Sequence, residues 1–285
     1  MSVRDLGYRA YEGQRLPASH NTWVLARHGL RRAWSSWLVK LPVFFCFGTS
    51  VVLGIYYLVA GVLVSQQTGE PFDAAPLVRS LVTTQMWLFV PFVALGAGAG
   101  AIAQDAVHRA FQFYFAKPVT PAQYLFGRVS AVAFFSALVV VVPGVLLILL
   151  MVGYGAPTPE VRLERAGYLL PFLLSTALLS LVMASVSVGF SSLSKSRALT
   201  MSSFILVLVV PHVIAGAISL LAKTDWVFLV SLPGLLDVVF DALFKSPREP
   251  EDHLLWWHAA PVLAAATGGS LYLAHHRLTR AEVIT

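Results

Sequence analysis

Residues 125–152 read LFGRVSAVAFFSALVVVVPGVLLILLMV, a run with one arginine and no carboxylate. A helix needs about 20 such residues to cross a hydrocarbon core of roughly 30 Å. Lipid offers no partner for open backbone groups, so a segment of this kind is helical. Working outward, the same reading applies to 42–64, 84–103, 168–190, 201–222 and 256–274. A membrane barrel would instead show alternating segments of about 10 residues. The predicted fold class is therefore all-α, a polytopic membrane protein with six transmembrane helices. Composition agrees, at 57% hydrophobic and 12% charged residues. Residues 1–21 form a polar lead, with Tyr8 to Gly13 outside any apolar pattern, and 22–285 form one transmembrane domain. The lead has no apolar core of the kind a cleaved signal carries. The single cysteine, Cys46, lies in the first span and has no intrachain partner.

Charge sets the expected orientation. With both termini in the cytoplasm, 14 of the 20 basic and 4 of the 14 acidic residues fall inside, giving +10 inside and −4 outside. This is the positive-inside pattern. It accounts for the basic character without nucleic acid, and it points to a plasma (inner) membrane protein.

Two amphipathic stretches flank the spans. In Thr22 to Lys40, Trp23, Leu30, Trp34, Trp37 and Leu38 share one helical face, while His28 and Arg32 face away. Arg27 intrudes on the apolar face and must snorkel. Tryptophans with arginines describe an interfacial helix contacting membrane lipid, and Pro42 predicts a bend between it and the first span. The stretch 226–244 is apolar, but Asp237 and Asp241 share a face and each costs about 2.5–3.5 kcal/mol at a span centre. It reads as a re-entrant helical pair joined at Pro233-Gly234, with the two carboxylates turned to water as a possible outer gate. The alternative is a seventh span.

The segment between the second and third spans is too polar for lipid and too aromatic for a plain linker. It runs Gln104, Asp105, His108, Arg109, Phe111, Gln112, Phe113, Phe115, Lys117, Pro118, Val119, Thr120, Pro121 and on to Tyr124-Leu125-Phe126-Gly127-Arg128. A surface element of this kind suits docking to a soluble partner. Asp105 and Arg109 are four apart and are predicted to pair along a helix. The run Gly96 to Gly100 permits close helix packing.

Other chemistry is excluded or weak. No Gly-x-x-x-x-Gly-Lys-[Ser/Thr] loop exists, so the chain is not expected to hydrolyse ATP. The hydrocarbon parts of the spans hold no Asp or Glu, which argues against an ion-coupled carrier. His212 is expected to bond a carbonyl. Gly189-Phe190-Ser191-Ser192 lacks the last glycine of a nucleophile elbow. No metal-ligand spacing occurs.

With these features ordered, the chain resembles the membrane (permease) subunit of a type-2 ABC exporter. Gln104-Asp105 with Pro118-Val119-Thr120 and Tyr124-x-x-Gly127-Arg128 is similar to that family's coupling-helix region. Ser191 to Ala198, with Ser194, Lys195 and Arg197, resembles its cytoplasmic turn between spans four and five. The resemblance implies a cytoplasmic ABC ATPase subunit that binds ATP and Mg, a second permease subunit, and no cofactor or catalytic residue in this chain. The alternative function is an ion-coupled secondary carrier or a membrane scaffold.

Overall fold

The computed structural model describes residues 19–68, 72–115, 119–154, 158–246 and 253–284. Among the described residues every regular element is helical. Five helical runs are long and apolar enough to cross a membrane: Trp37–Gly61, Ala75–Val107, Pro121–Gly153, Pro159–Leu193 and Arg197–Ala222. The last helix, α13 (Trp256–Ile284), has the length. Its Trp256, Trp257, His258 and the Thr267-Gly268-Gly269-Ser270 run keep it outside that set.

The first helix, α1 (Ser19–Trp34), ends at Ser35 and Ser36, and α2 (Trp37–Phe45) begins the first span. The expected bend at Pro42 therefore lies seven residues earlier, and Trp37 belongs to the span rather than to the interfacial helix. Two serines that compete for backbone bonds end a helix as well as a proline does. A minor break follows at Cys46, after which α3 (Phe47–Thr68) completes the run. Helix α1 lies against α8 (Pro121–Gly153), and glycine is required at the crossing. A Cβ on Gly127 would meet Leu25 Cβ at 2.8 Å, and one on Gly29 would meet the Gly127 carbonyl at 2.9 Å. Trp34 stacks on Phe135 of α8 at 5.8 Å while keeping one edge exposed, and Trp23 and Trp37 are more exposed still.

The second span is longer than 84–103. It starts with α4 (Ala75–Leu88), continues through α5 (Val90–Val93) and a π-helical turn at Ala94–Gly98, and ends in α6 (Ala103–Val107). Backbone groups released by the irregular 99–102 stretch and the start of α6 find one side chain. Ser191 Oγ accepts from the amides of Ile102 and Ala103, each at 3.0 Å, and donates to the Ala99 carbonyl at 3.0 Å. Ser191 belongs to α10 (Leu169–Leu193), so the hydroxyl cluster of that helix is a splice between spans. The glycine-rich end packs closely, as expected: a Cβ on Gly98 would strike Ser187.

Between α8 and α10 sits α9 (Pro159–Gly167). Its Arg165 is buried and donates to the Tyr57 hydroxyl at 2.5 Å and to the Met151 and Tyr154 carbonyls at 2.8 and 3.3 Å. It thereby caps α8 with a cation, where the orphan carbonyls need donors. On the following side, α11 (Arg197–Ala222) leads into a 3-10 turn at Trp226–Val230 and then α12 (Leu232–Phe244). Pro233-Gly234 does not break this pair. Proline is tolerated in a first helical turn, Ser231 Oγ accepts the Gly234 amide at 3.1 Å, and the break falls at Ser231. Helix α13 packs on α10, where a Cβ on Gly189 would meet Ser270 at 2.8 Å, and Arg277 donates to the Ser192 carbonyl at 2.7 Å.

Candidate functional site

The basic end of the bundle gathers α1, the 104–115 segment, the start of α8 and the turn before α11. The start of α8 is set locally. Thr120 Oγ accepts from the Gln123 amide at 3.3 Å, and Gln123 Oε1 accepts from the Thr120 amide at 3.1 Å, a capping box with Pro121 in the first turn. From that start, Tyr124 and Arg128 stand four apart on one buried face.

Asp105 is the centre of the site. It is 5% exposed. Its Oδ1 accepts from Arg32 Nη1 at 2.7 Å, and its Oδ2 accepts from the Tyr124 hydroxyl at 2.5 Å and from Arg128 Nη2. Arg32 also donates to Gln104 Oε1 at 2.6 Å. Arg128 is buried beneath the rings of Tyr124 and Tyr114, whose centroids lie 4.9 and 5.8 Å from the guanidinium carbon. One carboxylate thus joins three elements: α6, α1 and α8. A charge-assisted bond of this kind is roughly twice as strong as a neutral one, and burial makes its loss costly. His28, on the same helix as Arg32, is held below its ordinary pKa by desolvation and by the charges of Arg128 and Arg32.

The predicted Asp105–Arg109 pair does not form. Helix α6 closes in a Schellman turn: the Arg109 amide donates to the Ala106 carbonyl at 3.2 Å and the Ala110 amide to the Asp105 carbonyl at 2.8 Å, with Arg109 at φ 52. Glycine is the usual residue there, and an arginine in its place hides the break. Helix α7 (Phe111–Phe115) then starts in a new direction. Val107, His108, Arg109, Gln112 and Phe113 point outward, and Phe113 is 75% exposed. Phe111 turns inward onto Tyr124, with centroids 5.8 Å apart. Phe115 ends α7, and Lys117 and Pro118 lie outside the described residues.

In the turn before α11, Ser194 is nearly buried and donates to the Phe190 carbonyl at 2.8 Å. Lys195 is exposed, and Ser196 caps α11 by accepting the Leu199 amide at 3.2 Å. Arg197 faces Arg32 and Arg128 across a cavity of about 190 Å³. Among the described residues no group of three His, Cys, Asp or Glu side chains gathers as a metal site.

A sequence profile described as "ABC-2 family transporter protein" matches residues 23–228, which include every described member of this site. The chain belongs to the ABC-2 transporter family. No individual curated protein matches it. Members of the ABC-2 family are multi-pass membrane components rather than ATPases, and they work with an ABC ATPase subunit.

The opposite end of this ABC-2 permease holds the acidic pair. Asp237 and Asp241 do not face water alone. Arg79 of α4 donates to Asp241 Oδ1 at 2.8 Å and to Asp237 Oδ1 at 3.3 Å, and Thr83 donates to Asp237 Oδ1 at 3.1 Å. Sequence reasoning placed Arg79 in a loop and missed this pairing; the arginine at a helical spacing of four from Thr83 was the available signal. Arg79→Ala is expected to cost about 1–3 kcal/mol, allowing for the partial exposure of all three side chains. Combining it with Asp237→Asn and Asp241→Asn is expected to recover most of that loss in thermal unfolding. A single Arg79→Ala variant as stable as the parent would refute the pairing. Nearby, His212 Nδ1 lies 2.9 Å from Ser231 Oγ, a hydroxyl rather than the expected carbonyl, with the Trp87 ring at 4.6 Å.

Proposed function

We propose that the chain is the permease subunit of an ATP-driven export complex, powered by a separate cytoplasmic ATPase that binds ATP and Mg. The observation that carries this reading is the position of Asp105. It ties the short 104–115 segment to α1 and α8 through Arg32, Tyr124 and Arg128. A push on that segment is therefore delivered to two long elements at once. In this reading the basic end is cytoplasmic, both termini lie inside a bacterial or archaeal plasma membrane, α13 is the sixth span, and 226–244 is a re-entrant pair. Two permease subunits face each other. ATP binding favours one of two states, and alternating access follows from that differential binding. The chain itself carries out no chemical step.

Val107, His108, Arg109, Gln112 and Phe113 form the outward patch that meets a groove on the ATPase. Asp237 and Asp241 form the outer gate, closed through Arg79.

Arg109→Glu combined with Phe113→Ala tests the reading. Both side chains are exposed, so folding and insertion are expected to persist. Recovery of the ATPase on the tagged permease and ATP-dependent export are expected to fall at least about tenfold, the scale of losing one central aromatic or arginine anchor. Unchanged ATPase recovery and export would rule out this patch. ATP hydrolysis by the purified chain alone would overturn the division of labour.

A further inference from the structure

We infer that the cavity at the basic end is a phosphate-binding site, built to hold the phosphate of an anionic lipid headgroup or a free phosphate ion. Arg32, Arg128 and Arg197 line it, together with Gln104, Ser36 and Gly100. Three guanidiniums converge there. Among the described residues, Asp105 is the one carboxylate that pairs with any of them, and it pairs with Arg32 and Arg128 only. Arg197 Nε is buried and has no hydrogen-bond partner. The site therefore carries an excess of two positive charges and an unsatisfied donor. A buried donor without an acceptor costs free energy. An anion in the cavity supplies that acceptor and offsets the excess charge of the half-buried Arg197 and its neighbours.

The chemistry of the anion follows from its hosts. Guanidinium forks match the paired oxygens of phosphate, and a space of about 190 Å³ exceeds what a halide fills. The cavity lies beside the Ser35–Ser36 turn, where α1 ends and the first span begins, next to exposed Trp37. Tryptophan and lysine at a span end mark headgroup level, where phosphodiesters are abundant.

The test uses the full chain in phosphatidylcholine nanodiscs and needs neither ATPase nor transport, so its outcome is separate from the export reading. One arm titrates inorganic phosphate. The other replaces part of the lipid with phosphatidylglycerol and omits phosphate. The readouts are the thermal midpoint and lipid retained in native mass spectra. At least one arm is expected to raise the midpoint by several degrees. A response to phosphate alone assigns a free anion, to phosphatidylglycerol alone a headgroup, and to both a phosphate group recognised in either form. Arg197→Gln is expected to weaken the response at least about tenfold in apparent affinity. Ser36→Asp places a carboxylate at the N-cap of α2, where it suits the helix dipole, and is expected to fold and to abolish the response. A flat response in both arms, as a carboxylate-binding or empty site would give, overturns the inference. So does a wild-type response in both variants.

Discussion

Asp105→Ala is expected to abolish ATP-dependent export and to destabilise the permease by about 3–5 kcal/mol, the cost of breaking a buried ion pair from one side. The reason is geometric. Removing this carboxylate leaves Arg128 buried with its charge uncompensated, takes away the closer acceptor of Tyr124, and leaves Arg32 with Gln104 as its side-chain partner. Arg32→Ala should do much less damage to stability, about 1 kcal/mol, because its side chain is one-third exposed and water replaces the lost partner. Arg32→Ala removes both bonds from α1 to the 104–115 segment, to Asp105 and to Gln104, and Asp105→Ala removes one of them and the tie to α8, so both should impair coupling. Thermal unfolding in detergent, ATPase recovery and export separate the effects. Asp105→Ala with parental stability and export would remove Asp105 from the centre of the site. Equal destabilisation by Arg32→Ala would show that exposure does not govern these pairs.

Arg165→Ala is expected to cost on the order of 3 kcal/mol and to loosen the end of the bundle opposite the 104–115 segment. Arg165 is 3% exposed and bonds the Tyr57 hydroxyl and two carbonyls at the end of α8. Its truncation leaves the Tyr57 hydroxyl as the remaining donor to the Tyr154 carbonyl, at 2.8 Å, and takes away the close donor to Met151. Arg165→Lys should recover only part of the loss, since an ammonium cannot reproduce the planar fork. Tyr57→Phe should cost about 1–3 kcal/mol, since the hydroxyl both accepts from Arg165 and donates to the Tyr154 carbonyl at 2.8 Å. Thermal midpoints of the three variants give the order directly. A lysine variant as stable as the parent would mean that charge alone suffices at this position.

Much of the scaffold was legible because lipid imposes simple rules. Apolar runs of sufficient length had to be helices, and five of the expected spans appear as such, with boundaries shifted where polar residues were mistaken for loop. Arg79 and Arg165 show why. Each stands in or beside an apolar run and looks like a segment end. Each is in fact held inside a helix by partners far away in sequence, Asp241 and Tyr57. The helix breaks at Ser36, Arg109 and Ser231 were missed for a different reason. Serines and an arginine stand there, while the sequence offered prolines nearby as more obvious breakers.

The site itself was only half readable. Gln104, Asp105, Tyr124 and Arg128 stood out as a polar and aromatic cluster in the right stretch. Their mutual contacts did not, and Asp105 was assigned to Arg109 by the rule of four. Arg32 faced away from the apolar side of its helix, which marked it as solvent-facing when it was in fact turned toward Asp105.

The amino-acid sequence by itself determined that this protein is a helical membrane component, that its apolar runs are long enough to span lipid, and that it carries no Gly-x-x-x-x-Gly-Lys-[Ser/Thr] loop. Those properties depend on local composition and on the cost of burying polar groups in lipid, which act on each segment separately. Tertiary structure alone decided that Asp105 binds α1 and α8, that Arg79 bridges Asp237 and Asp241, and that three arginines share one cavity. Charge pairing across helices depends on which faces meet, and glycine contacts such as Gly29 on Gly127 set that rotation only once the helices pack.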